Sequence, residues 1–420
     1  MNSEKALVFL KRHGMSPETI EPARDAGKMA AEMELGLAGK GGSLPMIPTY
    51  LSDGGEIPVG EPVAVIDAGG TNFRCGLVTF AEQGCRVEEL RKWKMPGIGA
   101  PATWEEFMDF AADAILPLMD RTDKIGFCFS YTADITPEMD GRVVRIDKEV
   151  VINGCEGQLV GASLLRALGR RGVTGKKIVI LNDTVAVLLG GLAAMGAQTG
   201  CMAGQVSGTG TNTCCSLPER RIGKLGSSGE RRMIVNLESG MYDGIPRGDF
   251  DRELDAESHN PGQKLFEKMT AGVYLGELCH RMLQAAAREG CLNPESAEKV
   301  SALGWIDSAV IDAWAMGERL DEIAVGQEDA AFVQTICTAM FERSARCMCT
   351  NLAAILLLSG ENCLRVCAEG SLVQKGRVYR PTLEALIQGE IREKLGFDVS
   401  YTIGNESTLS GSAAAALLNL

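Results

Sequence analysis

The stretch Asp67-Ala68-Gly69-Gly70-Thr71-Asn72-Phe73-Arg74 gathers a carboxylate, a glycine turn and three polar side chains. Glycine turns expose backbone N–H groups that bind phosphate. Thr71, Asn72 and Arg74 supply further donors for phosphate oxygens. Asp67 is placed to hold Mg²⁺, directly or through water. Gly208-Thr209-Gly210, followed by Thr211-Asn212, repeats the device, and a nucleoside triphosphate needs several such anchors. Asn182-Asp183 ends an apolar run and opens a helical one, where a carboxylate can take a proton from a substrate hydroxyl. Asp is also a favoured N-cap, and the two roles are compatible. The helix N-terminus favours the ionised form and makes it a weak base. That suits phosphoryl transfer through a loose transition state, in which positioning counts for more than base strength. His13, His259 and His280 are the only histidines, so a carboxylate is the default general base.

Other polar residues gain meaning only in company. Glu238 and Glu267 read alone as surface acids, Lys148 as a solvated lysine and Ser130 as a turn residue. Carboxylates and amides together grip a neutral polyol by accepting and donating hydrogen bonds to its hydroxyls.

The elements that must carry these residues follow from pattern. Val63–Asp67 and Phe73–Phe80 read as strands on either side of the first turn. The dinucleotide fingerprint differs, because there a helix follows the glycines. Arg86–Lys94 adds a hairpin strand, and Thr103–Met119 has helical spacing with Thr103 as N-cap. Further strands are expected at 124–130, 176–181, 202–207, 211–217 and 363–368. Helices are expected at 16–37, 184–195 and 410–418, and between 260 and 357. The repeated strand–turn–strand unit suggests two related α/β halves.

With 420 residues the chain has room for two domains. Its net charge of −13 speaks against nucleic acid and against an anionic membrane surface. Its fourteen cysteines form no Cys-x-x-Cys pair and lie in apolar runs, as buried free thiols in a reducing compartment do. No signal peptide and no run long enough to span a bilayer are found. A cytoplasmic protein is the expectation.

Taken in order, these segments resemble the hexokinase/glucokinase family of ATP-dependent sugar kinases. The resemblance runs through Leu44-Pro-Met-Ile-Pro-Thr-Tyr50, Asp67–Arg74 and Ile125–Ser130 to Asn153–Gly157. It continues through Leu181-Asn-Asp-Thr-Val185, Gly208–Asn212, Val235–Glu238, Asn260–Lys268 and Ala368–Ser371. It implies an α/β fold of two actin-like (ribonuclease H-like) domains around a cleft. The smaller would comprise 60–181 plus 405–420, and the larger 1–59 plus 182–404. It implies transfer from ATP, with Mg²⁺, to the 6-hydroxyl of a hexose. Asp183 would be the base, assisted by Lys148. Ser130, Asp147, Lys148, Asn182, Asn212, Glu238 and Glu267 would hold the sugar. Gly69, Gly70, Thr71, Asn72, Arg74, Gly208, Thr209 and Gly210 would hold phosphates, and Gly370 and Ser371 the adenosine. Asp147-Lys148 stands where the family has Thr-Lys, and Ser130-Tyr131-Thr132 where it has Ser-Phe-Pro. D-Glucose is the leading acceptor, with mannose, fructose and amino sugars open. An actin-like ATPase or chaperone, and a sugar sensor without catalysis, are the rival readings.

Overall fold

The protein is described by a computed structural model that covers residues 3–146, 150–195 and 200–420. The apolar runs flanking each glycine turn pair into two sheets. In the first, β1 (Pro62–Gly69), β2 (Asn72–Phe80) and β3 (Cys85–Lys94) form an antiparallel meander. The strands β4 (Lys124–Phe129) and β5 (Lys177–Leu181) join in parallel, giving the order β5-β4-β1-β2-β3. In the second, β6 (Cys201–Ser207), β7 (Thr211–Pro218) and β8 (Arg232–Asn236) form the meander. The strands β9 (Cys363–Glu369) and β10 (Asp398–Ile403) join in parallel, giving β10-β9-β6-β7-β8. Ile47–Pro48 pairs with the outer edge of β8. The two sheets share one topology, so the repeat seen in the turns extends to whole half-molecules.

The helices that matter here are α1 (Trp104–Ile115), α2 (Val160–Arg170), α3 (Asp183–Met195) and α4 (Leu265–Thr270), followed by α5 (Gly272–Arg288), α6 (Ser308–Ala315), α7 (Gln327–Ser359) and α8 (Ser407–Asn419). Three apolar cores hold them. One packs α1 and α2 on the outer face of the first sheet, and the largest surrounds α7 beside the second sheet. The third lies between the sheets. Val63 and Val65 of β1, Val179 of β5, Met202 of β6 and Ile234 of β8 meet Val185 and Leu188 of α3 and the alanines of α8 there. Each of the larger of these side chains, fully buried, stabilises the fold by roughly 1.5–3 kcal/mol. The α3–α8 pair packs at backbone distance: a side chain at Gly411 would collide with the Ala186 carbonyl, and one at Gly126 of β4 with the Ser412 carbonyl.

Differences from the sequence expectations have local causes. The helix expected over 16–37 is a 3₁₀ turn at Pro17–Thr19 followed by a helix at Pro22–Leu37. Pro22 occupies the first turn, where its missing N–H costs nothing. The helix expected to reach Met119 ends at Ile115, and Leu116–Leu118 tightens to 3₁₀ around Pro117. Thr103 does cap it, in a capping box with Glu106. All fourteen cysteines are free thiols, and only Cys85 is exposed. Burial pushes the Cys75 thiol up to about 11 and that of Cys367 to about 12, which keeps them unreactive. No helix among the described residues is long and apolar enough to cross a membrane.

Candidate active site

Both glycine turns lie at the ends of central strands, β1 in one sheet and β6 in the other. Between the sheets is a cavity of about 790 Å³. Gly70 and Thr71 line it from the first turn, and Gly208, Thr209 and Gly210 from the second. Gly370 and Ser371, at the end of β9, complete that wall. Gly370 sits at φ 117°, a conformation that favours glycine, and a Cβ there would collide with the Ser207 carbonyl. The adjacent strand ends of β6 and β9 therefore come together as one polar rim. Gly272 at the start of α5 donates its N–H to the Gly208 carbonyl at 2.7 Å, which fixes the second turn against that helix.

Asn182 and Asp183 also line the cavity, where β5 passes into α3. Thr184 N donates to Asn182 Oδ1 at 2.9 Å and to Asp183 Oδ1 at 2.7 Å. The Thr184 hydroxyl donates to the same Asp183 oxygen at 3.2 Å. The cap is therefore Asn182, whose carbonyl also accepts the Ala186 N–H at 3.0 Å, and not Asp183 as expected; Asp183 is the first helical residue, and it lines the cavity. The third core packs beneath α3, so this helix start rests on rigid structure.

The remaining wall is acidic. Asn212, Glu238 and Glu267 line the cavity, as does Ser130 at the end of β4. Asn212 Nδ2 donates to Asn236 Oδ1 at 2.9 Å, and Asn236 Nδ2 donates to Glu238 Oε1 at 2.8 Å. Glu238 occupies the left-handed region at φ 54°, a strained backbone of the kind that gathers at functional sites. Burial pushes its carboxyl up from the ordinary range; the Asn236 hydrogen bond opposes this and the nearby Asp183 adds to it. Glu267, on α4, accepts the Thr211 N–H at 3.3 Å.

Some of the expected residues lie elsewhere. Asp67 and Arg74 face each other across β1 and β2 and form an ion pair at 2.6 Å. Arg74 also donates to Thr408 Oγ1 at 3.0 Å. Asp67, Gly69, Asn72 and Arg74 stand behind the first turn and not on the cavity wall. Asn72 donates to Thr71 Oγ1 at 3.1 Å. Asp147 and Lys148 lie outside the described residues.

Lys264 is a cavity residue that its sequence pattern does not single out. It also sits in the left-handed region (φ 52°), lines the cavity, and pairs with Glu267 at 3.3 Å. Its place between Asn260-Pro-Gly262 and Glu267 was the available signal. Tyr131, whose hydroxyl donates to the Gly70 carbonyl at 3.2 Å, was also assigned no role.

The fit of a phosphate-bound Mg²⁺ rests on Asp67. Its Oδ2 is engaged by Arg74. Its Oδ1 lies toward Gly69 and Ser130: a Cβ on Gly69 would stand 3.6 Å from that oxygen and 3.0 Å from Ser130 Oγ. A magnesium ion that keeps most of its waters needs little more from a protein, and Asp67 would hold it through one of them.

Two duplicated α/β sheets with a polar cleft between their glycine turns define a two-domain fold of the actin-like α/β class. Two family models, both described as hexokinase, match residues 9–192 and 202–418. The chain is 32% identical to "Hexokinase-2, chloroplastic" of Nicotiana tabacum, over 94% of this chain and 85% of that one. Its fold is similar to the hexokinase of Schistosoma mansoni complexed with glucose, with TM-score 0.77, 22% identity, and 99% and 98% of the two chains covered. It is also similar to a ROK family glucokinase from Streptomyces griseus in complex with glucose and AMPPNP, with TM-score 0.51, 18% identity, and 84% and 99% covered. The chain belongs to the hexokinase family and is a hexose phosphotransferase.

Proposed function

We propose that this protein transfers the γ-phosphoryl group of ATP to the 6-hydroxyl of a hexose, with D-glucose as the preferred acceptor. One observation carries the reading: Asp183 shares a single cavity with both glycine turns and with Asn182, Asn212, Glu238 and Glu267. Asp183 accepts the hydroxyl proton as the sugar oxygen bonds to phosphorus and the bond to the β-phosphate oxygen breaks, releasing ADP. Ser130, Asn182, Asn212, Glu238 and Glu267 hold the other hydroxyls. Asp147 and Lys148 belong to the same group, with Lys148 assisting the transfer. The backbone of the two turns, with Thr71 and Thr209, receives the phosphates, and Gly370-Ser371 the adenosine. Bound Mg²⁺ neutralises phosphate charge. Asp67 would hold it through one of its waters, and Arg74 fixes Asp67. The glucose and AMPPNP named for the similar structures favour this pair of substrates.

The reading divides the chain into a smaller lobe, 60–181 with 405–420, and a larger one, 1–59 with 182–404. Closure of the lobes excludes water, which otherwise competes as acceptor. The unpaired thiols favour a cytoplasmic site of action.

The test is ADP release from Mg-ATP across glucose, mannose, fructose and glucosamine, with and without a chelator. Glucose should give the highest kcat/KM, and chelation should stop turnover. ADP release indifferent to sugar would point to an ATPase. Sugar binding without ADP release would point to a sensor.

A further inference from the structure

The cleft continues past the second glycine turn. A second cavity of about 530 Å³ shares Gly208, Thr209, Val273 and Ser371 with the first and runs to residues 305–309. Trp305 lines it and is 67% exposed, more than any other large hydrophobic side chain among the described residues. Its backbone is nonetheless anchored by the two residues that follow it. Ile306 is buried, and its carbonyl lies so close to α5 that a side chain at Gly276 would collide with it. Asp307 caps α6, its Oδ1 accepting the Ala309 N–H at 2.7 Å.

An indole on an anchored backbone yet left wet contributes little to folding, because burial is what stabilises an aromatic side chain. It does offer a flat, polarisable face to a ligand. The nearby guanidinium of Arg377 is already committed: Nε donates to Asp312 Oδ2 at 2.7 Å, and the other nitrogens reach Glu318 at 2.7 and 3.0 Å. It is therefore not offered to phosphates. The aromatic end of the cavity and the phosphate-binding end are distinct, joined through Gly208 and Ser371.

We propose that Trp305 is the stacking platform for the nucleotide base, and that it makes this site select purine over pyrimidine nucleoside triphosphates. The inference rests on reading the cleft as a site of nucleotide-to-hexose phosphoryl transfer. Stacking accepts any base, but its strength follows ring overlap, and a fused purine offers more than a pyrimidine. Trp305 is thus a specificity-determining residue that acts on the donor, remote from the reacting oxygen.

The test uses the full chain with Trp305→Ala and Trp305→Phe. In the alanine variant KM for ATP should rise about tenfold, equivalent to about 1.4 kcal/mol. The kcat, the hexose KM and the melting temperature should stay unchanged. KM for UTP should rise much less, narrowing the preference for ATP, and phenylalanine should restore most of it. In parallel, titration with ADP should change the tryptophan emission of the native protein, and Trp305→Phe should lose most of that change. An unchanged ATP/UTP preference together with an unchanged fluorescence response overturns the inference and leaves phosphoryl transfer standing. Absence of hexose-dependent ADP release from the native protein overturns the underlying reading instead. The ADP titration still reports on Trp305 in that case.

Discussion

Asn236 Nδ2 donates to Glu238 Oε1 at 2.8 Å, and this bond anchors a half-buried carboxylate that sits on a strained backbone close to Asp183. Burial raises the pKa of Glu238 above its unfolded value, so the folded state binds this proton more tightly than the unfolded state. Its contribution favours folding at low pH and is lost as pH rises through the folded pKa. Glu238→Gln removes that cost and keeps the Asn236 hydrogen bond. The variant should melt at higher temperature at neutral pH, while KM for hexose rises about 10- to 100-fold through loss of a charged acceptor. In the native protein, hexose affinity should fall on acidification at a higher pH than an exposed carboxylate would give. Calorimetry and KM profiles against pH check both.

Asp183 Oδ1 accepts from the Thr184 N–H and hydroxyl, but Asn182 Oδ1 also accepts that N–H at 2.9 Å, so removing the carboxylate should change chemistry more than structure. Asp183→Ala should lower kcat by about 10²–10⁴ with KM for ATP little changed. A coupled assay of ADP release measures this. Near-native turnover by the folded variant would remove Asp183 from the proposed role.

Lys268 is 2% exposed and donates to Asp255 Oδ1 at 2.6 Å, Ser258 Oγ at 2.8 Å and the Asn260 carbonyl at 2.9 Å. All three ammonium protons are used, and together they clamp the loop leading to Lys264 and Glu267. Asp255 also accepts the Gly262 N–H. Lys268→Met leaves Asp255 without its buried cation and should cost about 3 kcal/mol, read by urea denaturation. KM for hexose should rise more than KM for ATP, because the clamped loop carries Glu267, which the proposed function assigns to the sugar.

Asp67 and Arg74 form a partly buried pair, so each should matter through the other. A double-mutant cycle of Asp67→Asn and Arg74→Gln should give a coupling energy of about 1–3 kcal/mol in stability. Additive effects would mean that the two act independently.

Much of this was legible along the chain. The strands beside the two turns, Asp183 at a helix start and Glu267 on a helix follow from local alternation, glycine punctuation and capping, which are properties of short windows. What escaped depends on distant partners. The mutual engagement of Asp67 and Arg74 comes from strand register, which pairs the two positions directly. Lys264 reads as a surface lysine until the clamp made by Lys268 turns its loop inward. The hairpin of Thr132–Ile135 with Gly141–Arg145 and the strand Asp398–Ile403 carry weak patterns of their own. Trp305 is a lone aromatic in sequence, and only the packing of Ile306 against α5 gives it an address.

The α8 helix carries a consequence for biogenesis. It covers the inner face of the first sheet, and its Thr408 meets Arg74 across 334 residues of chain. On the ribosome, the meander that bears the first glycine turn emerges early, yet the helix that seals it arrives after the whole second sheet has been made. Until then that apolar face lacks its cover, a state prone to misassociation. The nascent chain therefore lacks a complete cleft through most of its translation, and the half that emerges first is the half that is sealed last.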